Sequence, residues 1–348
     1  MTRSLLALLT ACGVVVAPAL ARVWTDTNGK TLEAEFVRVN GLNVILNAGG
    51  KEIPVPLTSL SAPDQVFIRT GQEPAKAPGT APTPAVPATP KELSLCGTPL
   101  KTDGGVTIVE QPLSPAALKS FAKATAKPGK LKLAIALPAG FDPEKPQRVM
   151  WTSAPINSEA ERTSGNVGGI GGWVKPATQS GWVVVAADTD LGNPRLEDNQ
   201  NATAGDLEVH KQAVAVLLAA WPKLKTWPFA CCGFSGGSKA TFYRAGDLAV
   251  CNLNVIGMFL GGCNQDMTAA AIQETRCSKA DLKKIKVFIS NGKSDKISTV
   301  AHAQALEQST SAFYRKVRLE LFEGGHTRNV GELQKAMEWF LEDEKPRP

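Results

Sequence analysis

The stretch CCGFSGGSK, Cys231–Lys239, surrounds Ser235 with three glycines. An apolar run, WPFACCG, leads into it, and a segment with helical character, GGSKATFYRAG, follows. The residues GFSGG fit the pattern G-x-S-x-G, in which a sharp strand-to-helix turn exposes the serine hydroxyl and glycines leave room for neighbouring backbone. We therefore predict that Ser235 is a nucleophile at the carboxyl end of a sheet, with the Gly236 N–H facing the reacting oxygen.

Apolar runs and helical patterns alternate on both sides of this stretch. Runs such as LKLAIALP, GWVVVAAD and KIKVFISNG are bounded by turn residues, and segments such as DLEVHKQAVAVLLAAW carry apolar residues at helical spacing. Strands that alternate with helices predict a mostly parallel sheet flanked by helices. We therefore predict an α/β domain over residues 92–348.

The chain has three histidines, and only one lies where a base for Ser235 is expected. His210 and His302 fall inside predicted helices, where a packing or surface role is expected. His326 follows the run VRLELFEGG in a glycine-bearing loop, at the carboxyl end of the last strand, where open α/β sheets place their sites. We predict that His326 is the base.

A histidine base needs a carboxylate that fixes its tautomer and stabilises the imidazolium. Asp295 lies in the loop SNGKSDK after the run KIKVFIS. The resulting order of serine, aspartate and histidine is the one found on α/β-hydrolase sheets. Asp188 and Asp190 precede the serine, and we predict binding-loop or structural roles for them.

The segments GFSGG, NGKSD, EGGH and KLKLAIALPAGFDPEKP resemble the α/β-hydrolase family. They are most similar to exported esterases such as polyhydroxybutyrate depolymerases and feruloyl and acetylxylan esterases. The resemblance implies an α/β-hydrolase fold and acyl transfer through an acyl-serine, followed by hydrolysis by water. It leaves Asp266 as an alternative acid, because some relatives take the carboxylate one strand earlier. Such a triad needs no metal and no organic cofactor.

The loop at the end of RVMWTSAP, residues 152–155, departs from these relatives. Many of them carry His-Gly there, and a backbone N–H of that loop completes the oxyanion hole. This chain has Pro155, which has no N–H to donate, so the second donor is expected to be Ala154 or a neighbour. Loss of one donor typically lowers the rate by about 10²- to 10³-fold, so a weak or specialised activity is one expectation.

The glycine-rich segment GNVGGIGGWVKP, residues 165–176, lacks the register of a nucleotide-binding loop. We predict a flexible loop near the site. Trp173 within it is a candidate substrate-binding residue, with packing in the core as the alternative. Phe234, next to the serine, is the other candidate substrate-binding residue.

Residues 1–21 combine Arg3, an apolar run and the ending Ala-Leu-Ala. This pattern predicts a signal peptide cleaved after Ala21 and a periplasmic or secreted protein, with lipoprotein cleavage at Cys12 as the alternative. No other stretch is long and apolar enough to span a bilayer. Six cysteines remain after cleavage, which predicts disulfides, first of all between Cys263 and Cys277.

Residues 22–72 consist of short alternating runs and turns such as Asn28-Gly29, which predict a small β-barrel. The motifs WTD, AEFV, VPL and DQ make this segment similar to the Sla-homology domain, an SH3-like module. The resemblance implies a peptide or protein ligand, with a spacer role as the alternative. Residues 73–91 carry a proline every few positions and predict a linker.

The sequence therefore favours an exported serine hydrolase that cleaves carboxylic esters of small molecules or polymers. A serine peptidase of the same fold and a non-catalytic peptide- or protein-binding protein stay open as alternatives. The net charge is +6, without a block of lysines or arginines. Nucleic acid is not an expected partner, because such surfaces cluster their positive charge.

Overall fold

The computed structural model describes residues 22–26, 30–40, 43–61, 64, 65, 67, 68, 93–194 and 203–343. Contacts divide the chain into two units, residues 1–89 and residues 90–348. The predicted signal peptide with Cys12, the Asn28-Gly29 turn and the predicted linker lie outside the described residues.

The N-terminal unit contains a four-stranded antiparallel sheet in sequential order. Its strands are β1 (Arg22–Thr25), β2 (Thr31–Asn40), β3 (Asn43–Ala48) and β4 (Lys51–Pro56). Alternating residues bury a small core of Trp24, Ala34, Val44, Leu46 and Leu60. A period of two is what a sheet with one buried face requires.

The barrel predicted for this unit is seen only in part. After β4 a 3-10 helix, Leu57–Ser59, turns the chain back towards β1. There the Ser61 N–H donates to the Thr25 carbonyl oxygen at 2.7 Å, and an isolated antiparallel bridge joins Asp26 to Leu60. Within the described residues, closure of the sheet is limited to this bridge.

The C-terminal unit is built on an eight-stranded sheet. After a short pair, β5 (Ser94–Leu95) and β6 (Thr98–Pro99), its strands are β7 (Val106–Pro112), β8 (Lys130–Ala136), β9 (Arg148–Ser153), β10 (Trp182–Thr189), β11 (Pro228–Phe234), β12 (Asn254–Gly261), β13 (Lys286–Gly292) and β14 (Lys316–Phe322). Their order is β14-β13-β12-β11-β9-β10-β8-β7. Strand β8 runs against both of its neighbours, and the pairs from β10 to β14 are parallel.

Helices cover both faces of this sheet. They are α1 (Pro115–Ser120), α2 (Glu159–Gly169), α3 (Gly171–Gln179), α4 (Thr203–Ala220), α5 (Gly236–Val250), α6 (Thr268–Thr275), α7 (Lys279–Leu282), α8 (Val300–Ser311) and α9 (Val330–Leu341). Val183 and Val185 of β10 belong to one apolar cluster, and Val184 and Ala186 belong to the other, with α3 and α9. The predicted mostly parallel, helix-flanked sheet is confirmed and is consistent with the α/β-hydrolase fold.

The glycine-rich segment 165–176 is not the flexible loop predicted for it. It forms the end of α2 and most of α3. A Cβ at Gly169 would lie 2.8 Å from the Ala154 Cβ, and a Cβ at Gly172 would overlap the Arg328 guanidinium. The glycines therefore serve close packing of helix against loop, which composition alone does not distinguish from flexibility.

The predicted disulfide between Cys263 and Cys277 is not formed. The six cysteines of the described residues are free thiols. Cys263 and Cys277 are buried in the apolar core, where Cys263 Sγ donates to the Gln265 carbonyl oxygen at 3.3 Å. Burial raises the pKa of Cys263 to about 11, so this thiol behaves as a small, unreactive hydrophobe.

Among the described residues, no helix combines the length and apolar composition that a bilayer crossing requires.

The end of α9 is joined to the sheet by a buried lysine. Lys286 of β13 is 1% exposed, and its Nζ donates to the Trp339 carbonyl oxygen at 2.7 Å. The carboxylate of Asp343 lies 3.1 Å from this Nζ and 3.0 Å from the Nζ of Lys316. The hydrogen bond from Lys316, then the bond and charge of Lys286, lower the pKa of Asp343 to about 2.

We predict that Asp343→Asn destabilises the protein in a pH-dependent way. Because the pKa of Asp343 is lowered on folding, its ion pairs stabilise the fold above about pH 4, its ordinary range. That stabilisation is lost as the pH falls through about 2. Thermal unfolding from pH 2 to 7 should show the Tm difference between wild type and variant disappear at the acidic end. Glu338→Gln, on the exposed side of α9, is the control, and equal Tm values at pH 6 for wild type and Asp343→Asn would contradict the prediction.

Candidate active site

Ser235 occupies the turn between β11 and α5. Its φ of 56° and ψ of −122° lie in a region that non-glycine residues rarely adopt. A Cβ at Gly233 would overlap the Gly237 carbonyl, and a Cβ at Gly237 would overlap the Ser153 carbonyl oxygen. Two of the three glycines predicted to make room for backbone are therefore required by close contacts at this turn.

Three side chains form one hydrogen-bonded line at the carboxyl end of the sheet. His326 Nε2 lies 2.9 Å from Ser235 Oγ, and His326 Nδ1 lies 2.7 Å from Asp295 Oδ2. The three residues follow β11, β13 and β14, so each comes from a loop after a parallel strand. With Nδ1–H donating to Asp295, Nε2 is left to accept the proton of the serine hydroxyl.

Asp295 is held in place by the backbone of its own loop. Its Oδ1 accepts the N–H groups of Ile297 at 2.8 Å and Ser298 at 2.9 Å. Burial raises the pKa of Asp295, but the hydrogen bonds from His326, Ser298 and Ile297 outweigh it and leave that pKa below its ordinary value. The carboxylate therefore stays ionised near neutral pH and fixes the orientation of the imidazole.

The alternative acid and the other two histidines have different surroundings. Asp266 Oδ1 accepts hydrogen bonds from the backbone N–H and hydroxyl of Thr268, at 2.8 and 2.5 Å. His210 is 1% exposed and packs edge-on against Trp151. His302 is exposed and completes the capping box at the start of α8. Of the three histidines, the structure brings His326 to Ser235.

Asp188 and Asp190 organise neighbouring backbone. Asp188 accepts the N–H of Asn166. Asp190 Oδ1 accepts the N–H groups of Gly129 and Lys130 at 3.0 and 3.1 Å. The sequence left a binding-loop role and a structural role open for these two aspartates, and the contacts agree with the structural role.

Ala154 does not meet the expectation that it donates to the oxyanion. Its N–H donates to Asn166 Oδ1 at 2.9 Å, and Asn166 Nδ2 in turn donates to the Ala187 carbonyl oxygen at 3.0 Å. The Ala154 N–H is therefore already satisfied. Gly236, by contrast, is the first residue of α5, where backbone N–H groups lack an acceptor within the helix.

The two aromatic candidates differ in their surroundings. Phe234 is partly exposed, and the centre of its ring lies 4.8 Å from that of His326. Trp173 is 3% exposed, packs against Phe259, and carries the Arg328 guanidinium 4.4 Å above its ring. The sequence left substrate binding and packing in the core open for Trp173, and its burial agrees with the second, because α3 turns the indole into the core.

A cavity of about 410 Å³ adjoins Gly236. Its lining includes Asn157, Lys239, Tyr243 and Met267, so polar and apolar groups share its wall. Asn157 and Lys239 line this cavity but were not among the site residues predicted from the sequence. Lys239 could have been found, because it lies in the first turn of the helix predicted to follow Ser235.

The described residues contain no cluster of three His, Cys, Asp or Glu side chains able to hold a metal ion.

No family model matches the chain, and no curated protein matches it in sequence. Solved structures do resemble it, at low identity. They include an esterase from Pyrococcus furiosus (15% identity, 68% of this chain and 90% of that chain, TM-score 0.43) and the esterase Est2 from Thermogutta terrifontis (16%, 64% and 94%, 0.40). An alpha-beta serine hydrolase homologue from Coxiella burnetii is a third (16%, 62% and 93%, 0.40). At these TM-scores the fold assignment rests on the topology of the chain itself.

We predict that Ser235→Gly is more stable than Ser235→Ala. Both variants lose the hydroxyl, but only glycine adopts a φ of 56° without strain. In the alanine variant this strain costs about 1–3 kcal/mol of stability. The glycine variant avoids the strain, but glycine loses more conformational entropy on folding, which costs about 0.5–1 kcal/mol. Urea unfolding should therefore favour the glycine variant by about 1 kcal/mol. An alanine variant of equal or greater stability would contradict the strained turn.

Proposed function

We propose that the chain is a serine hydrolase that cleaves carboxylic esters, with Ser235 as nucleophile, His326 as base and Asp295 as the orienting acid. The observation that carries the proposal is the unbroken hydrogen-bonded line from Ser235 Oγ to Asp295. Nucleophile, base and orienting carboxylate within hydrogen-bond reach are the signature of an activated serine.

In the proposed reaction, Ser235 Oγ attacks the ester carbonyl carbon and its proton passes to His326 Nε2. The new C–O bond forms as the carbonyl π pair moves onto oxygen. Collapse of this tetrahedral intermediate expels the alcohol, which takes the proton from the imidazolium and leaves an acyl-serine. Water then repeats the sequence, with its proton passing through His326, and releases the carboxylic acid.

A cavity adjoins Gly236, the residue that follows the proposed nucleophile. The cavity there has a volume within the range of small-molecule sites. Phe234 lies beside the imidazole and offers an apolar contact close to the scissile bond. We propose that the cavity holds one of the two parts of the ester.

We predict that the mature protein hydrolyses p-nitrophenyl esters and that Ser235→Ala reduces the rate to background. Asp295→Asn should lower kcat by about 10⁴-fold, because the neutral amide no longer enforces the required imidazole tautomer. Asp266→Asn, the matched control, should keep most of the activity, since Asp266 bonds to Thr268.

The experiment separates the alternatives. A fluorophosphonate probe that labels wild type but not Ser235→Ala would support the nucleophile independently of the substrate chosen. Turnover of peptide anilides without ester turnover would favour the peptidase alternative. A folded wild type that neither turns over esters or peptides nor takes the label would overturn the proposal in favour of a binding protein.

We further propose that the protein is exported and that the N-terminal unit is an SH3-like module. The pattern of residues 1–21 supports export, and the four-stranded sheet with its return to β1 supports the module. N-terminal sequencing of the protein recovered from the periplasm or medium of an expressing bacterium should begin at Arg22. An intact N-terminus in the cytoplasmic fraction alone would contradict export.

A further inference from the structure

The proposed reaction develops negative charge on the carbonyl oxygen, and the residues facing Gly236 offer few backbone donors to receive it. The Ala154 N–H is bound to Asn166, and Pro155 has none. The Asn157 N–H donates to Glu161 Oε2 at 2.8 Å. The loop after β9 therefore has three positions of four without an available N–H, and only Ile156 keeps one.

The side chain of Asn157 lies against Gly236 itself. A Cβ built on Gly236 would lie 2.9 Å from Asn157 Oδ1 and 3.1 Å from Asn157 Nδ2. The carboxamide thus covers the Cα of the residue whose N–H is the first proposed donor. It also lines the cavity next to Gly236, and within the described part of the chain it makes no hydrogen bond of its own.

The loop that carries Asn157 is fixed at both ends. On one side the Ala154 N–H is tied to Asn166 of α2. On the other side Ser158 caps α2, and the Glu161 carboxylate accepts the N–H groups of both Asn157 and Ser158. The backbone that carries the carboxamide is therefore fixed before charge develops, and only rotation of the Asn157 side chain is left to set the direction of the donor.

We propose that the Asn157 carboxamide is the second oxyanion donor, acting with the Gly236 N–H. The inference rests on the proposed function of Ser235. The two ends of an amide exchange by rotation, so Nδ2 can take the position facing the substrate oxygen. The side chain of Asn157 would thus supply the second oxyanion donor in place of a backbone N–H of the loop.

The test compares Asn157→Ala and Asn157→Asp with wild type on a p-nitrophenyl ester. Removal of one donor lowers kcat by about 10²- to 10³-fold and changes KM little. Asp keeps the shape of Asn but cannot donate and repels the oxyanion, so its kcat should be at least as low as that of Ala. Asn43→Ala, at an exposed asparagine of the N-terminal sheet, is the matched control.

Inhibition by a trifluoromethyl ketone distinguishes a donor from a merely structural residue. The ketone forms a tetrahedral adduct whose oxyanion occupies the same place, so its inhibition constant should rise in parallel with the loss of kcat/KM. Circular dichroism and urea unfolding check that both variants fold.

Two results would overturn the inference. If wild type is active and both Asn157 variants keep kcat within about threefold, the donor lies elsewhere, for instance at the Ile156 N–H, while the proposed function survives. If wild type shows no turnover and no fluorophosphonate labelling, the proposed function fails and the inference with it.

Discussion

The strained turn at Ser235 is held by hydrogen bonds from its own backbone N–H and from the side chain of Ser238. The Ser235 N–H donates to the Gly261 carbonyl oxygen at 2.8 Å. The hydroxyl of Ser238 donates to the carbonyls of Gly233 and Gly261, at 2.9 and 2.8 Å. These bonds tie the start of α5 to β11 and β12 together. A non-glycine residue persists at positive φ only when its surroundings determine it in this way.

The parallel sheet converts this local arrangement into a site. Its strands end at one edge, so the loops after β11, β13 and β14 meet there although they lie far apart in sequence. The approach is close: a Cβ at Gly262, after β12, would lie 3.0 Å from His326 Cε1. The position of the imidazole therefore depends on the strand that precedes His326 and also on the loop after β12, which packs against the ring.

The sequence predicts those features that are encoded locally. A strand-to-helix turn with three glycines, and polar residues directly after apolar runs, were enough to anticipate the sheet and to bring Ser235, Asp295 and His326 together. Their catalytic roles stay a prediction.

Features that depend on tertiary partners were missed or misjudged. The Ala154 N–H is satisfied by Asn166, twelve residues away, and nothing in the loop itself indicates that bond. The segment around Trp173 was predicted to be a loop because it is rich in glycine, whereas its glycines permit helix packing; substrate binding and core packing of the indole were both left open.

The contact between α3 and the His326 loop carries a consequence for how this sequence can vary. The Arg328 guanidinium lies over the Trp173 ring and occupies the space where Gly172 would otherwise carry a side chain. Arg328 is two residues from His326, but its guanidinium is the flexible end of a long side chain and can move without the backbone that positions the imidazole. A side chain at position 172 would therefore require a new Arg328 rotamer, and the cost would be the contact between the guanidinium and the Trp173 ring.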